Sequence, residues 1–477
     1  MTDLRVSGPQ AIVAGQPARR RLSRDSVLWL IVVAGGFLVA ELTPALLRLP
    51  LGTDEITYIA RTSVRVSGVM LPPVHGQGAG LLAAPVTLLT DSLLAVRIWM
   101  ALLSAVGLFL AMLCWRGLRP VWVLALAGLI LASLAITQDS GVQIYPDWWG
   151  ALGVLALTGL LLHAVRGTMR PRLALPLIAV ASLVIVVMRP QNVVFIMGPA
   201  ILAVIVVPDW RRPRIVAAMA AGTALGFLQW IIGAYVWYGG LAARLHEAGQ
   251  EPPAFRLYFS LGTQVKVLSG PWYCVPPAGC QGWDMPWESV WWVAFLGVSV
   301  VGVVVTWRTA ARTSAVLAAV TAVWVIALYV FLVPFGAPRY ILPSLALMSI
   351  LAADAVTWLV TKARWRTAGV AFACAVLLTG IVSQRFVLQH LVREEQSGRP
   401  FLAKANRFRD AGVQPPCVVG STPVAYYLGC SAPWDGESMG EVLAHTSQGQ
   451  SGWRRVLMTD GTPVYVPLAS GQAAAGK

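Results

Sequence analysis

The stretch AVRIWMALLSAVGLFLAML, residues Ala95–Leu113, decides the fold class. Its nineteen residues carry a single charge, Arg97, near one end. Coiled as an α-helix at about 1.5 Å per residue, they reach about 28 Å, close to the ~30 Å hydrocarbon thickness of a bilayer. This run, read as Leu94–Trp115, has many companions. Comparable apolar runs lie at Val27–Leu49, Val121–Thr137, Trp148–Val165, Leu173–Met188, Val193–Val207 and Ile215–Trp237. Four more follow at Ser289–Trp307, Ser314–Val333, Ile341–Val360 and Ala368–Ile381. At about 17–25 residues per span, the chain reads as an all-α polytopic membrane bundle of roughly eleven transmembrane helices. Leu81–Thr90 is too short to cross and fits a re-entrant or interfacial segment.

Composition agrees. Of 477 residues, 57% are hydrophobic and 12% charged, with mean hydropathy +0.69. Soluble domains average about 25% charged, so a water-facing surface cannot be covered with what this chain has. The net charge of +15 arises from 36 Lys and Arg against 21 Asp and Glu. The basic residues form no stripe with interleaved aromatics, so no nucleic-acid surface is expected. They cluster instead in short connections: Arg19–Arg24, Arg116/Arg119, Arg166/Arg170/Arg172, Arg211/Arg212/Arg214, Arg308/Arg312 and Lys362/Arg364/Arg366. If the apolar runs alternate, all six clusters share one side. The positive-inside rule makes that side cytoplasmic, placing the N-terminus inside and the C-terminus outside in a plasma membrane. The first apolar run is too long for a secretory signal and has no clean cleavage site, so it reads as a retained helix.

Three parts are expected. Residues 1–26 form a cytoplasmic segment. Residues 27–383 form the multi-span module, with outer loops 50–93, 138–147, 238–288 and 334–340. Residues 384–477 form a small extracytoplasmic α/β C-terminal domain, because CVVGSTPVAYYLGC and WRRVLMTDGTPVYVPL look like short strands with turns. Cys274 and Cys280 share the third outer loop, and Cys417 and Cys430 share the tail. On an oxidising side these two pairs suggest two disulfides; zinc is the weaker reading, since no His lies near either pair. Cys114 and Cys374 sit alone in spans.

The outer loops hold the residues with chemistry to offer. Asp54 and Glu55 follow the first span in LGTDEITYIARTSVRVSG, where a helix is expected to begin with Thr53 or Asp54 as its cap. Tyr58, Arg61 and Arg65 fall at helical spacing and give it one polar face. Helix capping is the plain structural explanation, but paired carboxylates beside a bilayer are costly and point to function. Asp147, in QDSGVQIYPDWW, opens the fourth span, where a helix N-terminus favours an acid. Arg339, in PFGAPRYILP, opposes the positive-inside bias and suits a phosphate; its alternative is a headgroup anchor. Arg189, in MRPQN, is a second outer-side arginine. His75 and His246 are lone loop histidines. Trp272, Trp283 and Trp287 fit an interfacial aromatic belt better than a sugar platform. Asp354 is the main charge inside a span.

The Asp54–Glu55 pair, Arg97 entering the second span, the YPD opening the fourth and the late PRY of Pro338–Tyr340 together resemble the C-type membrane glycosyltransferases (the GT-C superfamily). The branch they resemble most uses polyprenyl-phosphate sugars and includes protein O-mannosyltransferases and lipid A aminoarabinose transferases. The resemblance covers roughly the first 360 residues. It implies an enzyme that moves a sugar from a lipid-linked donor to an acceptor hydroxyl on protein, lipid or polysaccharide. By the same resemblance Asp54 is the general base, Glu55 orients the acceptor or the base, Asp147 assists, and Arg339 binds the donor phosphate. Tyr340, Arg61, Tyr58, Arg189 and His75 are the further substrate-binding candidates. A divalent cation is used by some members and not by others, and no ligand set for one is evident here. The competing function is a transporter or flippase for a lipid-linked precursor. That would place charge inside the spans rather than at the outer surface.

Overall fold

The computed structural model describes residues 24–60, 62–63, 71–250, 257–268, 273–276, 286–362, 366–394, 399–432, 453–457 and 463–467. These are mostly helical, for a physical reason. Within a bilayer every backbone N–H and C=O must be satisfied internally, and a helix does so without partners. Six helices are long and apolar enough to cross: Leu93–Leu113, Pro146–Arg166, Pro171–Met188, Pro213–Trp237, Arg312–Leu332 and the segment Pro338–Thr361. A seventh span arises if Val121–Ser133 and Ala135–Val142, bent by 77° at Leu134, count as one. Val27–Glu41, Gly78–Thr87 and Val290–Thr306 are shorter apolar helices. Each of the eleven expected runs falls on helix, but fewer are continuous spans. The first helix stops at Glu41, before Pro44. The Val193–Val207 run divides into Asn192–Phe195 and Gly198–Val206, where Pro199 has no N–H to continue the ladder.

The helix surfaces identify the solvent. On Leu93–Leu113, Leu94, Ile98, Leu102, Val106 and Leu110 form an exposed stripe at four-residue spacing. Met100, Ala101, Ser104, Leu108 and Met112 are buried on the other face. An apolar stripe of that length facing outward is stable against lipid, not water. Pro146–Arg166 is the central helix, with 83% of its apolar window buried against 28% for Pro213–Trp237. Small residues bring helices together where no hydrophobic drive operates. At Gly222 an added Cβ would lie 2.0 Å from the Ala179 carbonyl oxygen, so only glycine permits that crossing.

The basic connections meet at one end of the bundle. Arg166 donates to the Ala310 carbonyl at 3.0 Å, and Arg212 to the Ala164 carbonyl at 2.8 Å. Arg119 grips Asp354 through Nε and Nη2 at 2.8 and 2.9 Å and also donates to the Ser314 hydroxyl. Asp354, the charge inside a span, is thus neutralised within the packing.

At the opposite end lie the loops and the C-terminal segment. There the helices Arg399–Asp410 and Thr422–Leu428 pack together, beside a three-stranded antiparallel sheet. The sheet runs Val418–Val419, Pro463–Pro467, Trp453–Leu457 in spatial order, with Val418 opposite Tyr465 and Arg455 opposite Tyr465 on the other side. Cys417 and Cys430 form a disulfide, while Cys280 lies outside the described residues. The Tyr427 hydroxyl donates to the Leu51 carbonyl at 2.8 Å, across 376 positions of sequence.

Candidate active site

The helix Thr53–Ile59 begins at the first outer loop, with Gly52 rather than Thr53 or Asp54 as its N-cap. Gly52 fills that place because its N–H is taken by the Glu55 carboxylate three residues on, at 3.1 Å, and its carbonyl accepts from Ile56. Adjacent residues on a helix point about 100° apart, so Asp54 and Glu55 cannot serve one site. Glu55 turns inward, 1% exposed, and meets Arg97, 0% exposed, at 2.5 and 2.9 Å. Its Oε1 also accepts the Ile144 N–H at 2.9 Å. Arg97 goes on to the carbonyls of Leu49 and Val142, at 3.0 Å each. Glu55, expected to orient the acceptor or the base, faces away from the cluster and ties the Asp54 helix in place through Arg97. Glycine packing adds to this. A Cβ at Gly80 would lie 2.3 Å from the Tyr58 carbonyl oxygen, so the Gly78–Thr87 helix sits directly against the Asp54 helix.

Asp54 faces the other way, with its side chain 43% exposed at the lip of a charged cluster. Arg339, from the short 3-10 turn Pro338–Ile341, donates from Nη2 to Asp54 Oδ2 at 2.8 Å. The Arg339 Nε lies 3.6 Å from Asp147 Oδ2. Arg189, at the end of Pro171–Met188, reaches the same oxygen at 3.3 Å. Asp147 is the buried floor of the cluster, placed there by Pro146 at the first position of the central helix. It fixes both guanidinium groups side by side, which two cations would not adopt without an acid between them.

Aromatic rings complete the walls. Arg339 lies over the Tyr145 ring at 4.4 Å, and Arg189 over the Tyr340 ring at 4.8 Å. Tyr340 stacks on Tyr329 at 5.2 Å and meets Phe335, which touches half-exposed Tyr273. Tyr58 meets His75 edge-on at 5.3 Å. The His75 loop is strapped down from behind by Arg244, a buried arginine that donates to the carbonyls of Pro73, His75 and Trp230. Trp230 and Tyr238 donate to the carbonyls of Pro73 and Leu71.

Burial alone would raise the Asp54 carboxyl, but the Arg339 guanidinium beside it, aided by Arg189, holds it below the ordinary carboxylate value. Burial and then Arg189 push the His75 imidazole down to about 3, so this ring is neutral at pH 7. Burial raises the Tyr58 phenol, which stays protonated. Four buried polar atoms around the cluster lack a hydrogen-bond partner: Arg339 Nε, Arg189 Nε, Tyr58 Oη and His75 Nδ1. Two are cationic donors and a third is a hydroxyl. Buried polar groups without partners are costly, and this set can be satisfied by one anion rich in oxygen, such as a phosphate.

Asp54, Asp147, Arg189, Arg339, Tyr340, Tyr58 and His75 thus come together from five segments. Arg61 and Arg65 lie outside the described residues, as do Trp272 and Trp283. Among the described residues no three His, Cys, Asp or Glu side chains are grouped to hold a metal ion. The two site acids, Asp54 and Asp147, have the Arg339 guanidinium between them. Tyr329 and Arg244 carry no sequence signal. Tyr329 hides in an apolar run, and Arg244 is one arginine of an unremarked loop helix. Tyr145 was within reach, being the first residue of YPD.

No protein-family model matches this chain, and no curated protein matches it. Solved structures do. ArnT from Cupriavidus metallidurans, bound to undecaprenyl phosphate, superposes with TM-score 0.61 at 13% identity, over 96% of this chain and 100% of that one. The oligosaccharyltransferase of Archaeoglobus fulgidus, in its apo form, gives TM-score 0.52 at 14% identity, over 81% of this chain and 58% of that one. The chain shares its fold with ArnT and with the archaeal oligosaccharyltransferase. At these identities the likeness is one of fold, and the chemistry has to be argued from the site itself.

Proposed function

We propose that this protein transfers a sugar from a polyprenyl-phosphate-linked donor to an acceptor hydroxyl at the outer face of the membrane, with Asp54 as general base. The observation that carries the reading is the 2.8 Å contact between Asp54 and Arg339, which unites a half-exposed carboxylate with a buried cation from 285 positions away. Displacing a polyprenyl phosphate needs both. A base takes the proton of the incoming hydroxyl as its oxygen attacks the anomeric carbon, and a cation receives the charge that grows on the departing phosphate.

In this reading Arg339 and Arg189 hold the donor phosphate, and Asp147 keeps them parallel. Tyr58 Oη and His75 Nδ1 supply further polar contacts to phosphate or sugar. Binding of the phosphate draws the Arg339 guanidinium away from Asp54. That releases the carboxylate to act and raises its basicity at the moment the donor is in place. The cluster sits at the end of the bundle away from the basic connections, which the positive-inside rule assigns to the outer face. The prenyl chain of such a donor would remain in the lipid while its head group reached the cluster. ArnT, which shares the fold, was captured with undecaprenyl phosphate.

The test is sugar transfer in membranes holding equal amounts of wild type or Asp54→Asn, supplied with a panel of labelled polyprenyl-phosphate sugars. Wild type is expected to consume one donor and yield a labelled product, and Asp54→Asn to fall by about 10²–10⁴-fold. Equal behaviour on every donor would refute the base assignment and favour a carrier of the lipid-linked precursor.

A further inference from the structure

A second site lies at the other end of the bundle. Between the short helix Gly198–Val206 and the helix Arg312–Leu332 runs an apolar groove of about 610 Å³. Leu202, Val206, Val316 and Val320 form its walls. The groove exists because the Val193–Val207 segment is broken and short, so it leaves the flank of the longer helix uncovered. It is closed at one end by Trp324, whose Nε1 donates to the Val194 carbonyl at 3.0 Å. At the other end stand Trp210, Trp307 and Arg312. The Arg312 guanidinium lies flat over the Trp307 ring at 4.4 Å. It is exposed, and among the described residues it has no carboxylate partner. Asp209 is nearby in sequence but is not part of the groove lining.

We propose that this groove binds one acyl chain of an anionic membrane phospholipid, with its head group at Arg312. Three features select that occupant. The wall is hydrocarbon-like and faces the bilayer, so a lipid chain fills it. The depth from Arg312 to Trp324 is twelve helical residues, or about 18 Å at ~1.5 Å each. That is close to half of the ~30 Å hydrocarbon thickness, so it matches a chain confined to one leaflet. A polyprenyl chain long enough to cross both leaflets would run into the indole of Trp324. Finally, an exposed arginine packed on a tryptophan ring, with no carboxylate partner among the described residues, is the chemistry of a head-group contact. The positive charge selects an anionic head group over a zwitterionic one. The site is independent of the Asp54 cluster, which lies beyond the far end of the same helix.

The experiment is native mass spectrometry of the full chain, released from nanodiscs that hold equal amounts of phosphatidylglycerol and phosphatidylcholine of matched chain length. Wild type is expected to retain one phosphatidylglycerol in preference to phosphatidylcholine by about fivefold, the worth of one basic residue at an anionic surface. Arg312→Ala should abolish the preference, and Arg308→Ala, an exposed neighbour outside the groove, should keep it. Ala203→Trp, which fills the groove, should lose the retained lipid of either kind. Thermal unfolding of each variant shows that it is folded. The proposal is overturned if wild type shows no preference, or if the preference survives both Arg312→Ala and Ala203→Trp. It is also overturned if added polyprenyl phosphate displaces the phospholipid from wild type.

Discussion

Replacing Glu55 by Gln separates structure from catalysis at the first outer loop. The carboxylate accepts four hydrogen bonds: two from Arg97, one from the Gly52 N–H and one from the Ile144 N–H. A glutamine keeps the shape but exchanges one acceptor oxygen for an NH2 group, which then faces a donor. More seriously, Arg97 becomes a buried cation without a counter-charge. Removing one partner of such a pair costs about 3–5 kcal/mol, a large share of a typical 5–15 kcal/mol. Glu55→Gln should therefore lower the unfolding midpoint in detergent substantially, and Arg97→Ala should do the same. The double variant Glu55→Leu with Arg97→Met should recover part of the loss, because no charge is then stranded. Transfer activity per folded molecule is the deciding reading. If Glu55 only positions the helix, activity at low temperature should stay within a few-fold of wild type, while Asp54→Asn loses about 10²–10⁴-fold. A folded, fully stable Glu55→Gln that is as inactive as Asp54→Asn would refute this account and put Glu55 in contact with substrate.

Arg339→Gln, which removes the cation proposed to face the leaving phosphate, should reduce turnover by about 10²–10³-fold, measured with saturating donor. The depressed Asp54 pKa sets the pH dependence. Asp54 must be ionised to act, and its folded value lies below the unfolded one. Activity and this contribution to stability are therefore present above the unfolded value and lost only as pH falls through the lower folded value. With His75 neutral down to about 3, kcat/KM, which reports the donor-free enzyme, should be flat from pH 5 to 8, and a transition of kcat/KM in that window would count against the assignment. In Arg339→Gln, any residual acid limb should move upward, because the group that depressed Asp54 is gone. Asp354→Asn should weaken folding without altering transfer, since its partner among the described residues is Arg119; lost transfer at normal stability would reopen a transport path.

Much of the site was legible because its residues break a rule that membrane sequences otherwise obey. Arg339 and Arg189 are arginines on the charge-poor side, and Asp54 and Asp147 are acids beside apolar runs. Each exception costs free energy that only a specific partner offsets. Their mutual contacts were not legible, since nothing local ties position 54 to 339. The separate settings of Asp54 and Glu55 were equally hidden. Two adjacent acids read as one feature, yet the helix aims them at different surroundings. The span boundaries were blurred because high apolar content masks punctuation. Pro44 and Pro199 were visible in the sequence, but hydropathy averaged over a span does not register a missing N–H. Tyr329 and Arg244 show the limit. A tyrosine in an apolar run and a loop arginine acquire meaning only from what the fold brings to them.

The bond from Tyr427 to the Leu51 carbonyl has a consequence for biogenesis. Leu51 sits two residues ahead of the Asp54 helix, in a loop made early by the ribosome. Its partner is synthesised only after every helix of the bundle. The loop must therefore wait in an unfinished state while the remaining helices insert. A chain stalled before residue 427 would hold Asp54, Asp147 and Arg339 together without the brace behind them. Competence would then arrive late in a molecule's life, when a segment translated after the bundle reaches back to a loop translated near its start.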